Sequence, residues 1–106
     1  MSEDIICVDS YDFDERINDG IVIVYFYNHM NSQSRAFELI IDEIAEQYYD
    51  SLRVLAVDVE QSPDIADRYC VEGLPCVAIL NNGEIVEQIE GSNPPYVYTD
   101  IIDELL

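Results

Sequence analysis

The feature that most constrains the fold is an uninterrupted run of seven β-branched and aromatic residues, Ile21-Val22-Ile23-Val24-Tyr25-Phe26-Tyr27. A run without polar alternation is typical of a strand that is covered on both faces. An amphipathic helix pattern follows over residues 34–49, with apolar side chains at spacings of three and four and acidic side chains on the other face. A buried strand followed by a surface helix predicts an α/β domain with helices layered on a sheet.

Shorter segments on either side complete this pattern. The predicted elements are a strand at 5–8, a short helix at 11–18, the strand at 21–27, the helix at 34–49, a strand at 54–59, a helix from Ser62-Pro63 to about Cys70, strands at 76–80 and 84–89, and a closing helix around 97–105. Asn82-Gly83 supplies the positive φ that a tight hairpin between the last two strands requires. The order predicts a mixed sheet with helices on both faces.

The chain has 106 residues, of which 49% are hydrophobic, and this size predicts one domain over residues 1–106. The first twenty residues show no basic segment followed by an apolar run, so we expect no secretory signal and a cytoplasmic location.

The charge balance is strongly acidic, with 23 Asp and Glu against four arginines and no lysine, for a formal charge of −19. Nucleic acid and anionic membranes are therefore excluded as expected partners. Two accounts of the charge remain open. It is either a solvated acidic surface or an adaptation to a very salty cytoplasm, since this composition resembles that of haloarchaeal proteins.

Short motifs along nearly the whole chain resemble those of the thioredoxin family. They are, in order, Val24-Tyr25-Phe26, Asp42-Glu43-Ile44-Ala45 with Tyr48, Val57-Asp58-Val59-Glu60-Gln61-Ser62-Pro63, Gly73-Leu74-Pro75 and Asn82-Gly83-Glu84. The resemblance implies a thioredoxin fold, with a central mixed five-stranded sheet flanked by helices in the order β-α-β-α-β-α-β-β-α. It also implies a cis peptide bond before Pro75, at a backbone edge where family members bind extended peptides.

The residues that depart from the family pattern are those at the positions that carry the family's redox chemistry. Asn31 and Ser34 occupy the positions of the two family cysteines, and Ser32-Gln33 replaces the Gly-Pro between them. A pair of thiols at a helix amino terminus can cycle between dithiol and disulfide, whereas an amide and a hydroxyl cannot. We therefore interpret Asn31, Ser32, Gln33 and Ser34 as a degenerate site without a catalytic residue.

The substitutions extend to the surroundings of this site. Met30 stands where the family usually has tryptophan, Tyr25 replaces the buried aspartate that relays protons, and Ala56 replaces the lysine beside it. Nucleophile, resolving thiol and proton relay are all missing from their usual positions.

Three cysteines remain at other positions, without dithiol or metal-ligand spacing. Cys7 lies in an apolar strand and is predicted to be a small buried hydrophobe. Cys76 directly follows Pro75, and five residues separate it from Cys70, so a labile disulfide or a reactive thiol at Cys70 and Cys76 stays open. The odd cysteine count without a recognised export signal favours reduced thiols.

Other polar residues near the degenerate site have simpler interpretations. His29 has no nucleophile within sequence reach and is expected to be exposed or locally hydrogen-bonded. Ser32 and Ser34 have no identifiable base and are predicted to cap the helix. No segment has the dense oxygen ligands of a metal loop, so we expect neither a metal nor a cofactor.

These features predict a redox-inactive member of the family, not an enzyme, that binds another protein or an extended peptide as a chaperone, adaptor or scaffold. The acidic field favours a basic partner. The predicted binding surface consists of Tyr27, His29, Met30, Asn31, Ser34, Gly73, Leu74, Pro75 and Gly91. Two alternatives remain: an atypical thiol-disulfide oxidoreductase that uses Cys76 with or without Cys70, and a purely structural subunit.

Overall fold

The computed structural model describes residues 1–106, which form five strands and four helices. The strands are β1 (Ile5–Cys7), β2 (Ile21–Tyr27), β3 (Arg53–Asp58), β4 (Cys76–Asn81) and β5 (Glu84–Glu90), and the helices are α1 (Phe13–Arg16), α2 (Ser32–Gln47), α3 (Pro63–Arg68) and α4 (Tyr96–Leu105). This order confirms the predicted succession of elements. None of the helices is both long enough and apolar enough to cross a membrane.

The five strands form one mixed sheet in the order β1-β3-β2-β4-β5. Strands β1 and β2 each pair with β3 in parallel, whereas β4 runs antiparallel to both β2 and β5. All seven residues of β2 are buried. The unbroken apolar run is therefore the centre of the sheet, as predicted.

Alternate side chains of the sheet enter two separate cores. Tyr25 belongs to the core on the α2 and α4 face, with Phe37 and Tyr98. Its neighbour Phe26 belongs to the core on the α1 and α3 face. The same alternation in β4 places Cys76 in the α1 and α3 core and Val77 in the other.

Helices α1 and α2 differ from their predicted bounds by two residues at each end. Helix α1 is shorter than the predicted 11–18, because the Asp9 carboxylate accepts hydrogen bonds from the Tyr11 and Asp12 amides and holds that segment in a turn. Helix α2 begins at Ser32, two residues before the predicted start. The Asn82-Gly83 hairpin is as predicted, with φ of 52° and 87°.

Candidate functional site

The strand register brings the predicted site segments together at the edge of the sheet where strands β2 and β5 end and β4 begins. Phe26 pairs with Cys76, which also pairs with Glu90, so the next residues along, Tyr27, Pro75 and Gly91, follow in line at this edge. The Gly91 amide donates a hydrogen bond of 2.7 Å to the Pro75 carbonyl oxygen. The Leu74–Pro75 peptide bond is cis, as the family resemblance implied.

Helix α2 begins beside this edge and is capped by Asn31. Its Oδ1 accepts a hydrogen bond of 2.7 Å from the Ser34 amide, the third residue of the helix. The prediction that Ser32 and Ser34 cap the helix is wrong, because both residues already lie inside its first turn. Ser32 is exposed there, and the buried Ser34 Oγ has no hydrogen-bond partner.

Tyr25 connects the central strand to the same helix turn. Its hydroxyl donates a buried hydrogen bond of 2.7 Å to the Ser34 carbonyl oxygen. Burial raises the pKa of this phenol well above its usual range, so the hydroxyl stays protonated at neutral pH. Its register partner on β3 is Ala56. At the position where the family resemblance implies an aspartate, this chain therefore has a tyrosine whose hydroxyl links the central strand to helix α2.

The residues between β2 and α2 differ in their access to solvent. Met30 is 86% exposed and His29 is also exposed, whereas Tyr27 is only 8% exposed. The Tyr27 ring stacks on Tyr25, with centroids 5.3 Å apart, and packs edge-on against His29 at 5.1 Å. Tyr27 therefore supports this surface from below and offers little of its own area to a partner.

The loop before Pro75 presents unpaired backbone groups. The amide and carbonyl groups of Gly73 and Leu74 have no hydrogen-bond partner within the chain, and both residues are half-buried. Glu90 holds this loop from β5, because its Oε1 accepts a hydrogen bond of 3.1 Å from the Glu72 amide. A Cβ on Gly73 would lie 3.4 Å from Glu90 Oε2, so glycine leaves room for the carboxylate.

Glu90 is a site residue that the sequence analysis missed. Its proximity to Gly73 depends on the register between β4 and β5, which no motif in the sequence reveals. We call residues 72–74, held by Glu90, the Leu74 edge.

The three thiols are all free but lie in different surroundings. Cys76 is fully buried in the α1 and α3 core, and burial, with a smaller contribution from the Glu90 charge, raises its pKa to about 11. Cys7 is exposed, contrary to the prediction of a buried hydrophobe, because β1 is a three-residue strand that pairs with β3 alone.

Cys70 is exposed at the end of α3. Its amide donates to the Asp67 carbonyl at 3.1 Å and the Val71 amide donates to the Ala66 carbonyl at 3.0 Å, which is the Schellman pattern of helix termination. Cys70 has a φ of 54°, in the left-handed region that glycine usually occupies at this position. The thiol thus projects from the loop that leads to the Leu74 edge.

The sheet topology, the helix that begins beside its edge and the cis proline together define a thioredoxin-fold domain. The chain matches the family described as Thioredoxin over residues 4–104. It therefore belongs to the thioredoxin family.

Curated relatives and a solved structure are consistent with this assignment. Proteins named Thioredoxin from Staphylococcus epidermidis and Staphylococcus aureus are 26% and 24% identical over 102 residues, which span 96% of this chain and 98% of each relative. The solved structure of a mutant thioredoxin from Halobacterium salinarum NRC-1 has a TM-score of 0.87 at 24% identity. The match covers 99% of this chain and 94% of that one, and it supports the fold.

These relationships contradict the expectation of a redox-inactive binding protein, because the family and the relatives that match nearly the whole chain are thioredoxins. The expectation that the chain is not an enzyme is contradicted by the same finding. Both expectations gave the absence of cysteine at positions 31 and 34 more weight than the possible redox thiols at Cys70 and Cys76. The alternative of an atypical thiol-disulfide oxidoreductase is the better supported one. Its assignment of Cys76 as the reactive thiol does not fit the structure, because Cys76 is fully buried.

Proposed function

We propose that this chain is an atypical thiol-disulfide exchange protein in which Cys70 supplies the reactive thiol. The observation that carries the proposal is the position of this exposed sulfur, four residues before Leu74 on the loop whose backbone groups are unpaired. Membership of the thioredoxin family and the names of the relatives support exchange chemistry.

The other two thiols are less suited to this role. Exchange requires a thiolate that can reach the substrate sulfur, and Cys76 is fully buried with a pKa raised to about 11. Cys7 is accessible, but it lies on β1, which β3 and β2 separate from β4. Three strand spacings of about 4.8 Å separate β1 from β4, so Cys7 lies roughly 14 Å from the strand that follows the Leu74 edge.

The substrate in this proposal is an extended polypeptide that contains a disulfide. The free amide and carbonyl groups of Gly73 and Leu74 can pair with such a segment in the manner of an added strand. Glu72 and Glu90 flank the edge in a chain of formal charge −19, so basic residues beside the substrate cysteine are favoured.

The proposed step needs a second thiol from outside the chain. The Cys70 thiolate attacks one substrate sulfur, the substrate disulfide breaks, a mixed disulfide with Cys70 forms, and the other substrate sulfur leaves as a thiolate. A small dithiol then attacks the mixed disulfide. Its two thiols become a disulfide, and Cys70 and the substrate sulfur that was bound to it are released as thiols.

The test is reduction of a lysine-containing peptide disulfide by dithiothreitol, with and without the protein. We expect the wild type and Cys7→Ser to accelerate the reaction equally, and Cys70→Ser to remove at least nine-tenths of the acceleration. Cys7→Ser is the matched control because it also removes one exposed thiol. Acceleration that survives in Cys70→Ser, or a wild type no faster than dithiothreitol alone, would overturn the proposal.

A further inference from the structure

A second candidate binding site lies at the end of the sheet opposite the Leu74 edge. An open surface cavity of about 310 Å³ lies between residues 19–21, where β2 begins, and residues 49–53, where β3 begins. Its charged lining residues are exposed. Strand β2 is seven residues long, so about 3.3 Å per residue separates this cavity from the candidate site by roughly 20 Å. The cavity is therefore independent of the proposed exchange chemistry.

The lining of the cavity holds separated opposite charges. Arg53 donates one hydrogen bond of 3.3 Å, to the Arg16 carbonyl oxygen, and it forms no ion pair. Asp19 and Asp50 line the same cavity and form no ion pair either. The chain has only four arginines against 23 acidic residues. Arg53 nevertheless lines this cavity with two aspartates and pairs with neither of them, so a gap separates the opposite charges.

We propose that this cavity binds a small zwitterion, a molecule with a carboxylate at one end and an ammonium group at the other. The Arg53 guanidinium presents a planar set of donors that suits a carboxylate. The Asp19 and Asp50 carboxylates suit the ammonium end, and the ring of Tyr49, which is 69% exposed, supplies an aromatic face for the same cation.

Size and charge both favour a zwitterion over simpler ligands. The volume lies at the lower limit of small-molecule pockets, which span about 300–1,000 Å³, and suits a molecule of amino-acid size. The two aspartates and Arg53 give the lining a net charge of −1, which repels a simple anion. A simple cation can pair with the aspartates but leaves Arg53 without a partner. Only a ligand that carries both charges can pair with Arg53 and with an aspartate at the same time.

The first test uses 4-aminobutyrate as the probe and follows the Gly20 and Ser51 amide signals by nuclear magnetic resonance. Butyrate and butylammonium, each at the same ionic strength, carry one of the two charges. We expect saturable shifts with 4-aminobutyrate and at least tenfold weaker binding of the single-charge compounds. Equal binding of either compound, or the absence of saturable shifts at these amides, would overturn the proposal.

The second test uses charge-removing variants. Arg53→Gln and Asp50→Asn are each expected to weaken 4-aminobutyrate binding about tenfold, the effect of losing one charge-assisted contact. Asp50 accepts a hydrogen bond only from Ser51 Oγ, at 3.4 Å, so its replacement disturbs the fold little and keeps the test independent of the folding of Arg53→Gln.

Arg35→Gln is the matched control, because Arg35 is an exposed arginine near the other end of α2 and also forms no ion pair. At about 1.5 Å per residue it lies roughly 20 Å from Asp50. Unchanged binding in this control is expected. An equal loss in Arg35→Gln would show that overall charge and not the cavity controls binding, and would overturn the proposal.

Discussion

The hydroxyl of Tyr25 donates a 2.7 Å hydrogen bond to the carbonyl oxygen of Ser34 and so joins the central strand to the first turn of α2. The bond lies beneath the segment that carries Asn31, at the position where the family resemblance implies a proton-relaying aspartate. A protonated phenol in this position fixes the helix to the sheet.

Tyr25→Phe is expected to lower the free energy of unfolding by about 1 kcal/mol, the usual net value of one buried hydrogen bond. The ring and its stacking on Tyr27 are retained. Urea unfolding measures the change, with Tyr11→Phe as the control because that side chain is 93% exposed. An equal loss in both variants would contradict a specific role for the Tyr25 hydroxyl.

Asn31→Ala is expected to destabilise the protein by about 1 kcal/mol through loss of the α2 cap. Asn31→Asp should retain most of the stability, since a carboxylate can accept the same bond from the Ser34 amide. Thermal and urea unfolding of both variants check the prediction, with Gln33→Ala as an exposed control in the same turn. A stable Asn31→Ala protein would show that the cap contributes nothing measurable.

Much of the fold follows from the hydrophobic pattern, because β2 has the unbroken β-branched and aromatic run of a buried strand and α2 has the spacing of an amphipathic helix. The element order, the Asn82-Gly83 turn and the cis bond before Pro75 are confirmed. The boundaries of α1 and α2 were missed because side chains of Asp9 and Asn31 hold the neighbouring amides, and such local bonds leave no periodic signal.

The candidate site was less predictable than the fold. That Cys7 is exposed depends on β1 being short and at the sheet edge, and the contact between Glu90 and the Leu74 edge depends on register. The main functional prediction was wrong because it gave the two missing cysteines more weight than the thiols at Cys70 and Cys76, which were kept only as an alternative. The exposure of Cys7 and Cys70 and the burial of Cys76 depend on the tertiary structure, and the sequence alone does not reveal them.

Cys70→Gly is expected to raise the free energy of unfolding by about 0.5–1 kcal/mol while abolishing the proposed exchange. Glycine adopts the left-handed conformation at this Schellman position without the steric cost that a Cβ imposes. Urea unfolding and the peptide-disulfide assay measure the two effects separately. Cys7→Gly, in a strand, should instead be destabilising. A destabilised Cys70→Gly protein would contradict the conformational argument.

Stability is expected to fall as the pH rises above about 9. The pKa of Cys76 is raised from its usual 9.0 to about 11, so the unfolded chain releases this proton first and alkaline pH favours unfolding. Urea unfolding between about pH 8 and pH 10 should show a shallower decline for Cys76→Ala than for Cys70→Ala. Equal slopes in the two variants would contradict the prediction.

The melting temperature is expected to rise between about 0.1 M and 2 M potassium chloride. The formal charge of −19 produces self-repulsion, and the screening length falls from about 10 Å at 0.1 M to about 3 Å at 1 M salt. Differential scanning calorimetry measures the trend. A flat or falling curve would exclude high-salt adaptation as the account of the acidic composition.

The hydrogen bond from the Glu72 amide to Glu90 affects which substrates the proposed exchange would favour. Because the Glu90 carboxylate holds the Leu74 edge, most of the entropy cost of binding in the proposed exchange falls on the incoming chain. A substrate whose conformations are already restricted by its own disulfide then loses the least conformational entropy. Selectivity would then rest on the shape of the client loop before any particular side chain is recognised.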